Sequence, residues 1–190
     1  MAVTETKRKN LIVSMELAYT KPPIWRRIRV PSDIKLSKLH DVIQVVMGWE
    51  DCHLHQFILK DRYFMSPNPY GGMDDSPNVE DEGNVTLGEL LTRKGGKLMY
   101  EYDFGDSWQL VLTLEESDDA AGAKGVQLLD GKLAGPPEDC GGIPGFYNLL
   151  DALADQKHPE HRDLKEWCGC FKAEAFNVSA VNRSLKKYCQ

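Results

Sequence analysis

Residues 100–115 read YEYDFGDSWQLVLTLE, and their alternation is that of two strands folded back on each other. Leu98, Tyr100, Tyr102 and Phe104 alternate with polar neighbours, as do Trp108, Leu110, Leu112 and Leu114, the period of a half-buried strand. If Phe104 pairs with Trp108 across a three-residue loop of Gly105, Asp106 and Ser107, all eight side chains share one face. A two-residue loop would put the two sets on opposite faces, because a slip of one residue inverts every side chain. The odd-length loop is therefore predicted, with Gly105 and Asp106 supplying the turn chemistry.

Upstream, Leu11, Val13, Met15, Leu17 and Tyr19 mark a second strand, and residues 24–30 return after TKPP. A four-residue loop would pair Tyr19 with Ile24, Met15 with Ile28 and Val13 with Val30. It also sets Arg26 opposite Leu17 on the apolar face, where a guanidinium needs a partner. A carboxylate from Asp103, Asp106, Glu138 or Asp139 is the predicted partner, while Glu16 and Arg27 would form an exposed ion pair worth little. Ser37 is a candidate N-cap for a helix through Leu39, Val42, Ile43, Val46, Met47 and Trp49. Residues 52–60 form the next strand, and residues 65–84, rich in Pro, Gly and Asp, an exposed loop. Thr86 and Glu89 have the spacing of a capping box. A second loose region spans residues 117–142; helices follow in FYNLLDALAD and over residues 161–167, with a weakly helical tail. The expected fold class is α+β, one domain over residues 1–190. A mixed or antiparallel sheet would carry a ββαβ (β-grasp-like) core, a long β-hairpin and C-terminal helices.

Composition narrows the class. Of 190 residues, 42% are hydrophobic and 27% charged, as in soluble globular proteins. No apolar run approaches the roughly 20 residues of a membrane span, and MAVTETKRKN has no apolar signal core. A cytoplasmic location and no membrane partner are expected. The five cysteines (Cys52, Cys140, Cys168, Cys170, Cys189) are odd in number and scattered, which fits reduced thiols. Residues 1–31 hold seven basic side chains against Glu5 and Glu16, a local +5 that leaves −11 elsewhere in a chain of net charge −6. Such an acidic body argues against nucleic acid as a partner, except weakly through the basic N-terminal hairpin. The plainer reading of those cations is a solvated strand edge.

Several residues could carry chemistry. His53 and His55 lie two apart on a strand, so both would point to one face and could ligate one metal, with Asp103 or Asp106 completing the set. The plainer reading is a pair of hydrogen-bonded histidines. Asp103 and Asp106 flank the hairpin turn, and Glu138 and Asp139 sit in PPEDCGG; if the loops meet, four carboxylates converge. Like charges so close raise one another's pKa, hold a cation, or form an acid–base pair. Alternatively Asp106 and Asp139 only shape their turns, with Glu138 solvated. Cys168-Gly169-Cys170 has one intervening residue, not the two of a redox or zinc pair, and Cys140 has no base nearby in sequence.

Taken together, KPPIWRRIRVP, LHDVIQVVMGW, HLHQF, YEYDFGDSW, PPEDCGG and the closing W-x-G-x-F…F…N-x-x-L resemble the plasmid pRiA4b ORF-3-like family, in that family's order from Lys21 to Leu185. The resemblance implies no established activity; a resolvase-type label on some relatives points to DNA and mobile elements. Relatives often have His where this chain has Leu110, and Cys where it has Leu128 and Gly135, which would weaken any metal site here. The expected function is a non-enzymatic binding or interaction module. Its protein or small-molecule ligand would meet a groove between the FGDSW turn and the PPEDCGG loop, contacting Arg26, Trp49, Asp103, Asp106, Trp108, Glu138 and Asp139. A metal-assisted hydrolase or nuclease and a DNA-associated accessory protein are the alternatives. No cofactor is expected beyond a loosely held, chelator-removable divalent metal at His53 and His55.

Overall fold

A computed structural model describes residues 9–67, 77–118 and 125–188. The chain runs β1 (Asn10–Leu17), β2 (Trp25–Pro31), α1 (Leu36–Met47), β3 (His55–Leu59), β4 (Arg62–Met65), β5 (Val79–Asp81), α2 (Leu87–Leu90), β6 (Lys97–Tyr102), β7 (Trp108–Asp118), β8 (Gln127–Lys132), α3 (Gly142–Ala154), α4 (His161–Cys168) and α5 (Val178–Tyr188). Among the described residues these strands form one eight-stranded sheet, ordered β5-β4-β3-β6-β7-β1-β2-β8. All neighbours are antiparallel except β4 and β5. The fold is α+β, with β, β, α, β as its opening order. No described helix is long and apolar enough to cross a membrane.

One face of the sheet carries the core. Val13, Met15, Ile28, Leu98, Tyr100, Trp108, Leu110 and Leu112 are buried in one cluster with Leu39, Val42, Ile43 and Val46 of α1. This is the arrangement an antiparallel sheet adopts when helices cover one side. Burying these side chains contributes about 1.5–3 kcal/mol each. Helix α1 ends where Gly48 takes a left-handed conformation (φ 83°) and donates its N–H to the Gln44 carbonyl. Its N-cap is Lys35, so Ser37 lies inside the helix. At α2 the capping box forms as its spacing implies: the Thr86 N–H donates to the Glu89 carboxylate at 2.6 Å.

Both hairpins have the predicted face but a register shifted by two. Tyr102, not Phe104, pairs with Trp108. Asp103 leaves the strand at φ 56° and donates its N–H to the Leu54 carbonyl, which lengthens the loop to residues 103–107 and turns Phe104 outward, 46% exposed. In the first hairpin Arg26 pairs with Met15, and Val13 with Ile28. The Thr20 hydroxyl donates to the Leu17 carbonyl and accepts from the Ile24 N–H, and Leu17 takes the place opposite Ile24 that Tyr19 was expected to hold, so the loop grows to residues 18–23. Tyr19 is left outside the ladder and exposed. A shift of two preserves the alternation, so the buried set within the strands is as expected, and Phe104 and Tyr19 alone leave it.

Arg26 is buried as expected, but its predicted carboxylate partner is absent among the described residues. Nε donates to the Val46 carbonyl at 2.7 Å, and Nη1 donates to those of Trp25 and Lys132 at 2.8 and 3.0 Å. The guanidinium also lies 3.9 Å over the Phe176 ring. The Val46 carbonyl, in the last turn of α1, carries partial negative charge, and with the two strand carbonyls it solvates the cation without a counter-ion. Arg27 reaches Glu115 rather than Glu16, at 2.5 Å. The loose stretch of residues 117–142 contains β8, which pairs with β2. Of the exposed loop expected at residues 65–84, residues 68–76 lie outside the described residues, and residues 79–81 form β5.

Candidate functional site

Three loops meet at one end of the sheet: residues 48–54 after α1, the β6–β7 turn, and residues 136–142 before α3. Their contacts follow from groups that cannot stay unpaired when buried. Trp49 donates its Nε1–H to the Pro136 carbonyl at 3.1 Å and stacks on Tyr102, ring centroids 4.8 Å apart. The Tyr102 hydroxyl accepts from the Cys52 N–H and donates to Glu138 Oε1 at 2.9 Å. The Glu50 N–H donates to the same oxygen at 2.7 Å. Burial and the neighbouring Glu138 raise the Tyr102 phenol well above its ordinary value, so it stays a donor. The Gly141 N–H donates to Asp106 Oδ2 at 3.1 Å. A Cβ on Gly142 would stand 2.7 Å from the Asp106 carbonyl, so the turn and the loop touch there rather than flank an open groove.

His53 stands in the middle of this junction. Its Nε2 lies 3.1 Å from Asp139 Oδ1, 3.7 Å from Asp103 Oδ2 and 4.0 Å from Glu138 Oε2. None of these approaches has hydrogen-bond geometry: His53 Nε2 and Glu138 Oε2 are both enclosed and unpartnered. Each carboxylate is fixed or placed by other means. Glu138 is held by its Oε1; Asp103 by its Oδ1, which accepts the Gly105 N–H at 2.9 Å. Asp103 and Asp139 are both left-handed, at φ 56° and 54°, a conformation Asp tolerates better than most residues. The ligand atoms of His53, Asp103 and Asp139 lie within 4.8 Å of one another, as do those of Cys52, His53 and Glu138.

Placement of the other sequence candidates differs from expectation. His55 is not beside His53 in any described set of potential ligands; its Nε2 hydrogen-bonds Glu82 at 2.8 Å and its ring stacks on His40 at 3.5 Å. The expected shared face fails because β3 begins at His55, leaving His53 in the preceding loop. Asp106 is turned to the Gly141 N–H, so the turn and the PPED loop bring three carboxylates to His53, not four. Trp108 is fully buried, edge-on to Phe146, and Trp49 is buried with its Nε1–H on the Pro136 carbonyl, so neither offers a surface. Arg26 lies on the far side of residues 134–137, in another pocket.

Sequence reading missed a second polar cluster. His40 Nδ1 hydrogen-bonds the Tyr100 hydroxyl and Nε2 hydrogen-bonds Asp51, each at 2.8 Å, while Gln44 Nε2 donates to that same hydroxyl at 3.0 Å. A signal was present. His40 and Gln44 sit on the stripe of Leu36, Leu39, Ile43 and Met47, so polar residues at apolar spacing marked a buried network.

Residues 9–180 match the sequence model of the plasmid pRiA4b ORF-3-like protein family. The uncharacterised protein y4hQ of Sinorhizobium fredii is 36% identical over 176 residues, 91% of this chain and 89% of that protein. The crystal structure of MM3350, a protein of unknown function from Methanosarcina mazei, superposes with a TM-score of 0.80 at 31% identity, covering 92% of this chain and 98% of that one.

Proposed function

The chain belongs to the plasmid pRiA4b ORF-3-like family, and from that premise we propose that it is a binding module whose working surface is the three-loop junction, centred on a site for a divalent cation. The observation that carries this reading is the enclosed, unpartnered Nε2 of His53, within 4.0 Å of oxygens from three carboxylates. Buried polar atoms are seldom left unpaired, and exceptions point to an ion or water. One imidazole nitrogen with carboxylate oxygens suits zinc or manganese. The loops are already pinned by hydrogen bonds that do not use His53 Nε2, so the ion is not needed for folding. Exposed Leu54 and Phe104 adjoin the site in sequence, and Trp167 lines a pocket with Asp139. A partner oxygen on an open coordination position, with apolar contact around it, is the mode of recognition these groups support.

The metal-assisted hydrolase alternative draws on both histidines, and His55 is engaged by Glu82. The DNA-associated alternative draws on the basic hairpin. There Arg26 is buried, Arg27 is paired with Glu115, and Arg29 donates to Gln127. Both alternatives therefore have less support than binding.

Calorimetric titration with Mn²⁺ and Zn²⁺ tests the proposal. One ion per chain should bind, be stripped by a chelator with little change in melting temperature, and bind roughly tenfold or more weakly to His53→Ala and Asp139→Asn. Affinity should fall with pH, since protons compete for the ligands. Unchanged binding in His53→Ala, or none in the wild-type chain, would refute the site.

A further inference from the structure

Arg26 lies in a pocket of about 370 Å³ whose walls include Val46, Pro136, Phe171, Phe176 and Ala180. Three of the guanidinium's donors are used on the carbonyls of Val46, Trp25 and Lys132. Phe176 covers one face of the group. Gly131 leaves room for that stack, since a Cβ there would come within 2.6 Å of the Phe176 ring and 3.0 Å of Arg26 Cδ. The donors on Nη2 have no hydrogen-bond partner among the described residues, and no described carboxylate neutralises the charge. The side chain is 1% exposed. A buried charge without a counter-ion is costly, whereas a pocket of this size lies within the range that holds small molecules, roughly 300–1,000 Å³.

We propose that this pocket binds a small apolar molecule carrying a carboxylate, with the carboxylate on the free Nη2 edge of Arg26 and the chain against Phe171, Phe176 and α5. Charge complementarity selects the anion: a neutral or cationic head of the same length gains no ion pair and leaves the guanidinium unneutralised. The walls select the tail, because apart from Arg26 and Asn177 the side chains of the lining are apolar. This site is separate from the His53 junction, and its ligand does not require a metal.

Octanoate, octanol and octylamine are suitable probes, since they share a tail and differ in head group. Titrated into the ¹⁵N-labelled wild-type chain, octanoate should shift amides at residues 46–48, 134–135 and 176–181, and bind at least tenfold more tightly than octanol. Octylamine should cause no shifts there. Ala180→Trp, which fills the pocket without touching the guanidinium's hydrogen bonds, should fold and lose octanoate binding, as should Arg26→Gln if it folds. Equal binding of octanoate and octanol, shifts scattered over the surface, or no binding at all would overturn the proposal. So would undiminished binding by a folded Ala180→Trp.

Discussion

His40 is buried with its ring parallel to that of His55, 3.5 Å away, and both nitrogens engaged. Every group in this cluster is satisfied when the Tyr100 hydroxyl, which accepts from Gln44, gives its proton to His40 Nδ1 and Nε2–H donates to Asp51. That arrangement is the one a neutral ring makes. Burial and the neighbouring His55 lower its pKa, against the raising effects of Asp51 and Glu82. At neutral pH the group is uncharged in both states; below the unfolded value of about 6.5 only the unfolded chain takes the proton, so stability falls until the folded group titrates too. Melting temperature should therefore drop as pH goes from 7.5 towards 5.5, and His40→Gln should flatten that slope. A slope unchanged in the variant would assign it to other groups. Arg26 shows what a single residue tells in advance. Its burial was legible from strand parity, but its partners were not, because backbone carbonyls leave no mark in a sequence. Desolvation lowers this guanidinium to about 10, so it remains charged at pH 7.

At the scale of elements, the β6–β7 turn and the loop before α3 hold each other through backbone. Gly142 is at φ 63° with the Asp106 carbonyl where its side chain would be. Gly142→Ala should destabilise the protein by roughly 1–3 kcal/mol and weaken cation binding, since it parts the loops that bring Asp103 and Asp139 to His53. Full stability in urea unfolding would show that the junction is not packed as described. The strands and their buried faces were readable from period-2 alternation, and an error of two in register left those faces intact. Strand β8 was not readable: in QLLDGK only Leu128 is buried, and Asp130 and Gly131 look like turn residues. That the two acidic loops converge was legible only as a condition. The position of His53 between them depends on β3 starting at His55, three residues later than expected.

Over the whole molecule, the sheet places two unlike sites on either side of residues 134–137. Trp49 and Glu138 belong to the acidic junction, and Gly48, Pro136 and Pro137 to the pocket of Arg26. Charge is distributed to match, with −11 outside residues 1–31 and the cations of β2 buried or engaged. Duplex DNA should accordingly bind weakly at low salt and not measurably near physiological salt; fluorescence anisotropy at both salts checks this, and salt-resistant binding would contradict it. The cation site itself is tested most directly by X-ray absorption on the zinc-loaded protein. The expected ligands are nitrogen and oxygen alone, at about 2.0–2.2 Å, with the scattering signature of a single imidazole. A sulfur scatterer near 2.3 Å would move the site to Cys52, and two imidazoles would return it to the His53 and His55 pair that the fold separates.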